Sequence, residues 1–154
     1  MNLGSLLKPE AIRVVSNVTS KKRLMQELAD VAAGCYGVDA SSAVVALQDR
    51  ESIGPTGVGD GVALPHARLD TLSDVVGTFI KLEKPMDFDS VDRQPVDLVF
   101  ALFAPESTGV RHLKALAVVS RAMRDGSIRN KLRQNNDPSI LHAILTDSET
   151  IKAA

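Results

Sequence analysis

Gly54-Pro55-Thr56-Gly57-Val58-Gly59-Asp60-Gly61-Val62-Ala63-Leu64-Pro65-His66-Ala67-Arg68-Leu69 is the stretch around which the chain is organised. Its four glycines all fall within residues 54–61. Glycine at that density suits a backbone that takes positive φ or lies close to another group. Val62-Ala63-Leu64 reads as a short buried strand. Pro65 ends it, because proline donates no ladder hydrogen bond and holds the preceding residue extended. His66 then stands where a strand leaves the core. A histidine there can be a reactive group or can satisfy a local hydrogen bond and nothing more, so the rest of the chain has to decide.

The stretch does not read as a nucleotide site. Gly54 to Gly59 has the glycine spacing of a P-loop, but Asp60-Gly61 stands where Lys-Ser/Thr is required. Gly57, Gly59 and Gly61 give G-x-G-x-G rather than G-x-G-x-x-G, and a strand follows instead of a helix.

The composition narrows the classes further. The 154 residues suit a single domain, over residues 1–154, with a full core. A net charge of −1 supplies no global field for nucleic acid or an anionic membrane. Aromatic residues make up 3% of the chain and tryptophan is absent, which argues against base-stacking platforms. Cys35, the single cysteine, reads as a small hydrophobe within a helical pattern. No apolar run approaches the roughly 20 residues of a membrane span, and Met1-Asn2-Leu3-Gly4 lacks the basic start of a signal peptide.

Around the central stretch, helices and strands alternate. Leu3 to Val15 reads as a short amphipathic lead-in. Ser20 caps a helix in which Leu24, Leu28, Val31 and Cys35 share a face, ended by Gly34 and Gly37. The Lys21-Lys22-Arg23 run reads as a solvated face. A second helix is expected from Ser41 to Ser52, capped by Asp39, with Arg50 in its last turn. Val75 to Leu82 alternates as a strand, Pro85 to Asp89 as a short edge element, and Val96 to Phe103 as a central strand covered on both faces. A long helix over Val110 to Arg124 is expected to bury Leu113, Leu116, Ala117, Ser120 and Met123, with His112 in its first turn. Shorter helices over Ser127 to Arg133 and Pro138 to Leu145 close the chain. The class is α/β, a mixed sheet with helices on both faces.

The ionisable residues that could converge are His66, His112 and Arg50. His142 reads as structural or surface. Three histidines and one cysteine at scattered spacing form no zinc signature, and no G-x-S-x-G elbow is present. Two imidazoles and a guanidinium beside glycine amides suit phosphate: neutral imidazole is a nucleophile near neutral pH, and arginine offers a charged fork that matches phosphoryl oxygens.

Three features carry a family resemblance. Arg50-Glu51 is followed by Thr56-Gly57-Val58-Gly59-Asp60-Gly61-Val62-Ala63-Leu64-Pro65-His66, and His112-Leu113-Lys114-Ala115-Leu116 opens a helix after an apolar strand. This pattern resembles EIIA domains of the bacterial phosphoenolpyruvate-dependent phosphotransferase system, of the mannitol/fructose type. Leu6-Leu7-Lys8-Pro9-Glu10 and Ser20-Lys21-Lys22-Arg23 are most similar to the nitrogen-regulatory branch. Pro55 departs from the pattern, in which a small or polar residue precedes Thr56.

The resemblance implies a phosphohistidine carrier. His66 would take the phosphoryl group on Nε2, and His112 and Arg50 would hold it. The donor would be an HPr-type carrier, called NPr in the nitrogen branch. Targets would be regulatory proteins such as sensor kinases or potassium-transport components. No cofactor, metal, nucleic acid or membrane insertion is implied, and the expected location is the cytoplasm. A sugar-uptake EIIA passing phosphate to EIIB is the alternative within the family. A binding module that is never phosphorylated and a zinc hydrolase are the alternatives outside it. Val58, Val62, Leu64 and Leu69 are expected to supply apolar groups near His66, with the strand's alternation sending some of them inward.

Overall fold

A computed structural model describes residues 1–107 and 109–153, with side chains described as far as residue 147. The sheet has six strands: β1 (Ile12–Val15), β2 (Gly57–Gly59), β3 (Val62–Ala63), β4 (His66–Arg68), β5 (Val76–Met86) and β6 (Val96–Ala104). The helices are α1 (Leu3–Leu6), α2 (Lys21–Tyr36), α3 (Ala40–Ile53), α4 (Gly109–Met123), α5 (Gly126–Arg133) and α6 (Pro138–Ala153). Strand order is β1-β5-β6-β3-β2, with β4 also paired to β6. β1 lies parallel to β5, β5 antiparallel to β6, and both β3 and β4 parallel to β6, so the sheet is mixed.

Both faces of β6 are buried, which is why it reads as one unbroken apolar run. Leu98, Phe100 and Leu102 enter a core shared with α1, α4, α5 and α6, while Val99, Ala101 and Phe103 enter one shared with α2 and α3. Phe79 and Phe100 meet edge to face, with ring centres 6.1 Å apart. The expected α/β class, with helices on both faces, is the observed one.

Several local expectations are corrected. Residues 12–15 form a strand rather than part of a helical lead-in, because the β-branched run of β1 completes the sheet beside β5. The edge element expected after Leu82 belongs to β5 itself. Its pairing with β6 passes irregularly from Lys81 to Met86, which leaves Pro85 without a ladder bond to make. α6 continues well beyond Leu145.

Helix α4 is rotated from the expected face. His112, Ala115, Val119, Ala122 and Met123 are buried, whereas Leu113 and Ala117 are exposed. Apolar residues occupy nearly the whole circumference of this helix, so periodicity alone does not select a face. The small Ala115 and Ala122 let the helix lie close to the sheet.

The central stretch folds as a tight hairpin and then a second strand. β2 and β3 pair antiparallel across Asp60-Gly61. Asp60 has φ 57° and Gly61 φ 76°, the double positive φ of a two-residue turn that matches strand twist. Pro65 does not release the chain from the sheet. β3 pairs with β6 at Leu98 and Val99, and β4 resumes the pairing with His66 opposite Leu102. His66 therefore lies within a strand, not beyond its end.

Candidate functional site

Three elements bring the sequence-selected residues together. β4 carries His66, the last turn of α3 carries Arg50, and the first turn of α4 carries His112. They line one cleft of about 540 Å³, together with Asp49, Ile53, Arg68 and Leu113. The His66 and His112 rings lie 5.5 Å apart, centre to centre, inclined at 70°. His142 is elsewhere: its Nε2 lies 3.0 Å from the Leu7 carbonyl oxygen, where it ties α6 to the end of α1.

The hydrogen bonds fix the tautomer of His66. Its Nδ1 lies 3.0 Å from the carbonyl oxygen of Leu64, which can only accept. Its Nε2 lies 3.1 Å from Nε of Arg50, which can only donate. Nδ1 therefore carries the proton, and Nε2 presents a lone pair. Burial lowers the His66 pKa below the ordinary imidazole value, and the Arg50 charge adds to this, against the opposing effect of the Leu64 carbonyl. His112 is also lowered, by burial first and then by the His66 and Arg68 charges. Its buried Nε2 has no hydrogen-bond partner among the described residues, a state that costs about 1–3 kcal/mol for a polar group. The cleft thus holds an imidazole whose lone pair is on Nε2, a guanidinium donating to that lone pair, and a second imidazole nitrogen with no partner among the described residues.

Arg50 is positioned by the loop that follows it. Its Nη1 donates to the Gly54 carbonyl at 2.9 Å. That loop is anchored at Thr56, whose amide donates to Glu51 Oε2 at 2.9 Å and whose hydroxyl donates to Glu51 Oε1. Lys21, at the start of α2, neutralises Glu51 at 3.0 Å and lies over the Phe88 ring. The run Arg50-Glu51…Thr56 is therefore one mechanical unit. Glu51 clamps the loop, and the loop aims the guanidinium.

The chain matches, over residues 5–148, the family described as phosphoenolpyruvate-dependent sugar phosphotransferase system, EIIA 2. The chain belongs to this family. It is 46% identical over 145 residues to a nitrogen regulatory protein of Bradyrhizobium diazoefficiens, covering 94% of this chain and 95% of that one. It is 38% identical over 151 residues to a nitrogen regulatory protein of Escherichia coli, covering 97% and 92% respectively. Among solved structures it resembles nitrogen regulatory protein IIA-Ntr from Neisseria meningitidis, with a TM-score of 0.85 at 34% identity, over 93% of this chain and 98% of that one. These similarities place this EIIA chain in the nitrogen-regulatory branch of a family of phosphotransferase-system phosphoryl carriers.

Two expectations about the site are corrected in this EIIA. The glycines do not line the cleft. Gly57 packs against Ser90, and Gly61 against Arg133 and Asp97, so tightly that an added Cβ would collide. Their close approaches are to the protein itself, and they hold the hairpin rather than cradle phosphate. The apolar groups around His66 also differ from those expected. Val62, Leu64 and Leu69 are buried in the two cores, and Val58 lines a separate cleft with Ser120 and Arg124. Ile53, 82% exposed, and Leu113, 67% exposed, form the apolar margin instead. The rotation of α4 puts Leu113 there, and helical extension through residue 53 places Ile53. Arg68 was also missed, although its position two residues after His66 on a strand sets both on one face. Among the described residues, no group of three or more His, Cys, Asp or Glu side chains could hold a metal ion, and no helix is long and apolar enough to cross a membrane.

Proposed function

We propose that His66 Nε2 accepts a phosphoryl group from an HPr- or NPr-type phosphohistidine carrier. The observation that carries this is the forced tautomer: Nδ1–H on the Leu64 carbonyl leaves the lone pair at Nε2, in the cleft. The Nε2 lone pair forms a bond to phosphorus as the donor's P–N bond breaks, and that electron pair returns to the donor imidazole. The His66 ring becomes cationic while keeping its Nδ1 proton, and the Leu64 carbonyl stabilises that charge. Arg50 releases Nε2 and turns onto the phosphoryl oxygens. His112 donates to another oxygen and so gains the partner its Nε2 lacks among the described residues. Positioning and charge do most of the work, as phosphoryl transfer requires.

The output is regulatory and the setting cytoplasmic. Similarity to nitrogen regulatory proteins at 46% and 38% identity supports control of target proteins over a dedicated sugar-uptake role. Targets of the sensor-kinase or potassium-transport kind fit this reading. Phosphorylation places a dianion between Ile53 and Leu113, so a target docked on that apolar margin distinguishes the two forms by local electrostatics.

The test is incubation with a phosphoenolpyruvate-driven carrier relay, followed by intact-mass analysis. An acid-labile gain of one phosphoryl group is expected, abolished in His66→Ala and slowed in His112→Ala. Undiminished labelling of His66→Ala refutes the assignment.

A further inference from the structure

We propose that Arg68 is a third phosphate-facing cation, whose guanidinium engages the phosphoryl group on His66 and sets how firmly this protein retains it. This rests on His66 being the acceptor. Positions 66 and 68 of β4 point to the same face, with backbones roughly 7 Å apart, a span that an arginine side chain covers with ease. Both residues line the same cleft as Arg50 and His112.

The neighbours of Arg68 leave its charge available. Its Nη1 donates to the Glu106 carbonyl at 3.1 Å. Among the described residues, Arg13, Arg111, Arg129 and Arg133 each lie against a carboxylate, on Glu27, Asp74, Asp60 and Asp97 respectively. The two arginines lining this cleft, Arg50 and Arg68, have no such ion pair there. The pKa of each imidazole is lowered by burial first, and the Arg68 charge adds to this at both, in keeping with its place in the shared cleft.

A phosphoryl group brings close to two negative charges to this place. Arg50 and the cationic ring of phosphorylated His66 offset them, and Arg68 adds a further positive charge with a planar fork of donors. One branch of the fork can stay on Glu106 while the other nitrogens take a phosphoryl oxygen. Glu106 lies in the segment between β6 and α4, so the same guanidinium would tie the phosphorylated form to the connection that leads to His112 and Leu113. The consequence for transfer is thermodynamic. Removing Arg68 shifts the equilibrium back toward the donor without removing the nucleophile.

The test uses full-length protein, Arg68→Gln and Arg68→Lys, each phosphorylated with phosphoramidate, which needs no protein donor, and then equilibrated with an HPr-type carrier. A charge-assisted hydrogen bond at an exposed site corresponds to about a tenfold effect. Arg68→Gln is expected to shift the transfer equilibrium about tenfold toward the carrier and to raise the pKa of both His66 and His112 in the unmodified protein, read by NMR. Arg68→Lys is expected to recover part of the equilibrium, since it keeps the charge and loses the fork. In the wild-type protein the Arg68 Nε–H resonance is expected to shift on phosphorylation, a reading that does not depend on any variant folding. Wild-type protein labelled on His66, with an unmoved Arg68 resonance or with Arg68→Gln within twofold of wild type, overturns the Arg68 role alone. Wild-type protein that takes no phosphate on His66 from either source overturns the acceptor reading, and the Arg68 role with it.

Discussion

Replacing Glu51 by alanine tests whether the Arg50 loop is clamped as described. Glu51 is a carboxylate whose side chain is 9% exposed, and it accepts from the Thr56 amide, the Thr56 hydroxyl and Lys21. Thr56 is itself buried. Without Glu51 its amide has no acceptor, a loss worth about 1–3 kcal/mol. Lys21 retains Asp89 at 3.4 Å and contact with solvent, so its loss adds under about 1 kcal/mol. The total is about 1–4 kcal/mol, or roughly 2–16 °C in Tm for a chain of this size. Glu51→Gln keeps one acceptor oxygen and is expected to lose about half as much. Urea unfolding with an unchanged m-value measures the stability. Phosphotransfer, assayed where the variant is folded, measures the aim of Arg50. The expected rate loss in Glu51→Ala is smaller than in Arg50→Ala, because the guanidinium is present but less well held. A stability loss below about 0.5 kcal/mol, the range of an ordinary surface substitution, with wild-type transfer, refutes the clamp.

Arg50→Ala is expected to slow transfer by about 10- to 100-fold, the loss of one charge-assisted hydrogen bond, and Arg50→Lys to recover only part of it; wild-type rates in Arg50→Ala reduce Arg50 to a helix-end cation. Burial lowers both His66 and His112, so the unfolded chain binds protons first as pH falls. Stability is thus full above the unfolded imidazole value of about 6.5 and declines as pH drops from there toward the lower folded values; denaturant midpoints measured from pH 8 downward check this, and His66→Ala is expected to flatten the profile. Gly61→Ala is expected to destabilise by more than 1 kcal/mol, because φ is 76° and the new methyl meets Arg133 and Asp97; thermal melts decide it.

The fold was legible where pattern and environment agreed. β6 is buried on both faces and reads as a continuous apolar run, and the Ser20 and Asp39 caps form as expected. Legibility failed where several faces were equally apolar, as in α4, or where an element is short and its partner distant in sequence. β1 is four residues long and pairs with a strand more than 60 residues later, so no local periodicity marks it. Asp60-Gly61 carried a hairpin signal that the surrounding glycines obscured. At the site, Arg50, His66 and His112 converge as the sequence suggested. The donor geometry that leaves the lone pair on Nε2 was not legible, since it depends on where the Leu64 carbonyl and the Arg50 guanidinium fall in space. Leu113 and Ile53 were missed because their exposure depends on the rotation of α4 and the length of α3.

The central claim is that His66 reacts through Nε2, and nitrogen-15 and phosphorus-31 NMR of the phosphorylated protein tests it most directly. With imidazole-labelled protein, the expected result is a single one-bond nitrogen–phosphorus coupling at Nε2 of His66, with Nδ1 still protonated against the Leu64 carbonyl. Phosphate on Nδ1 of His66, on His112, or on no histidine contradicts it.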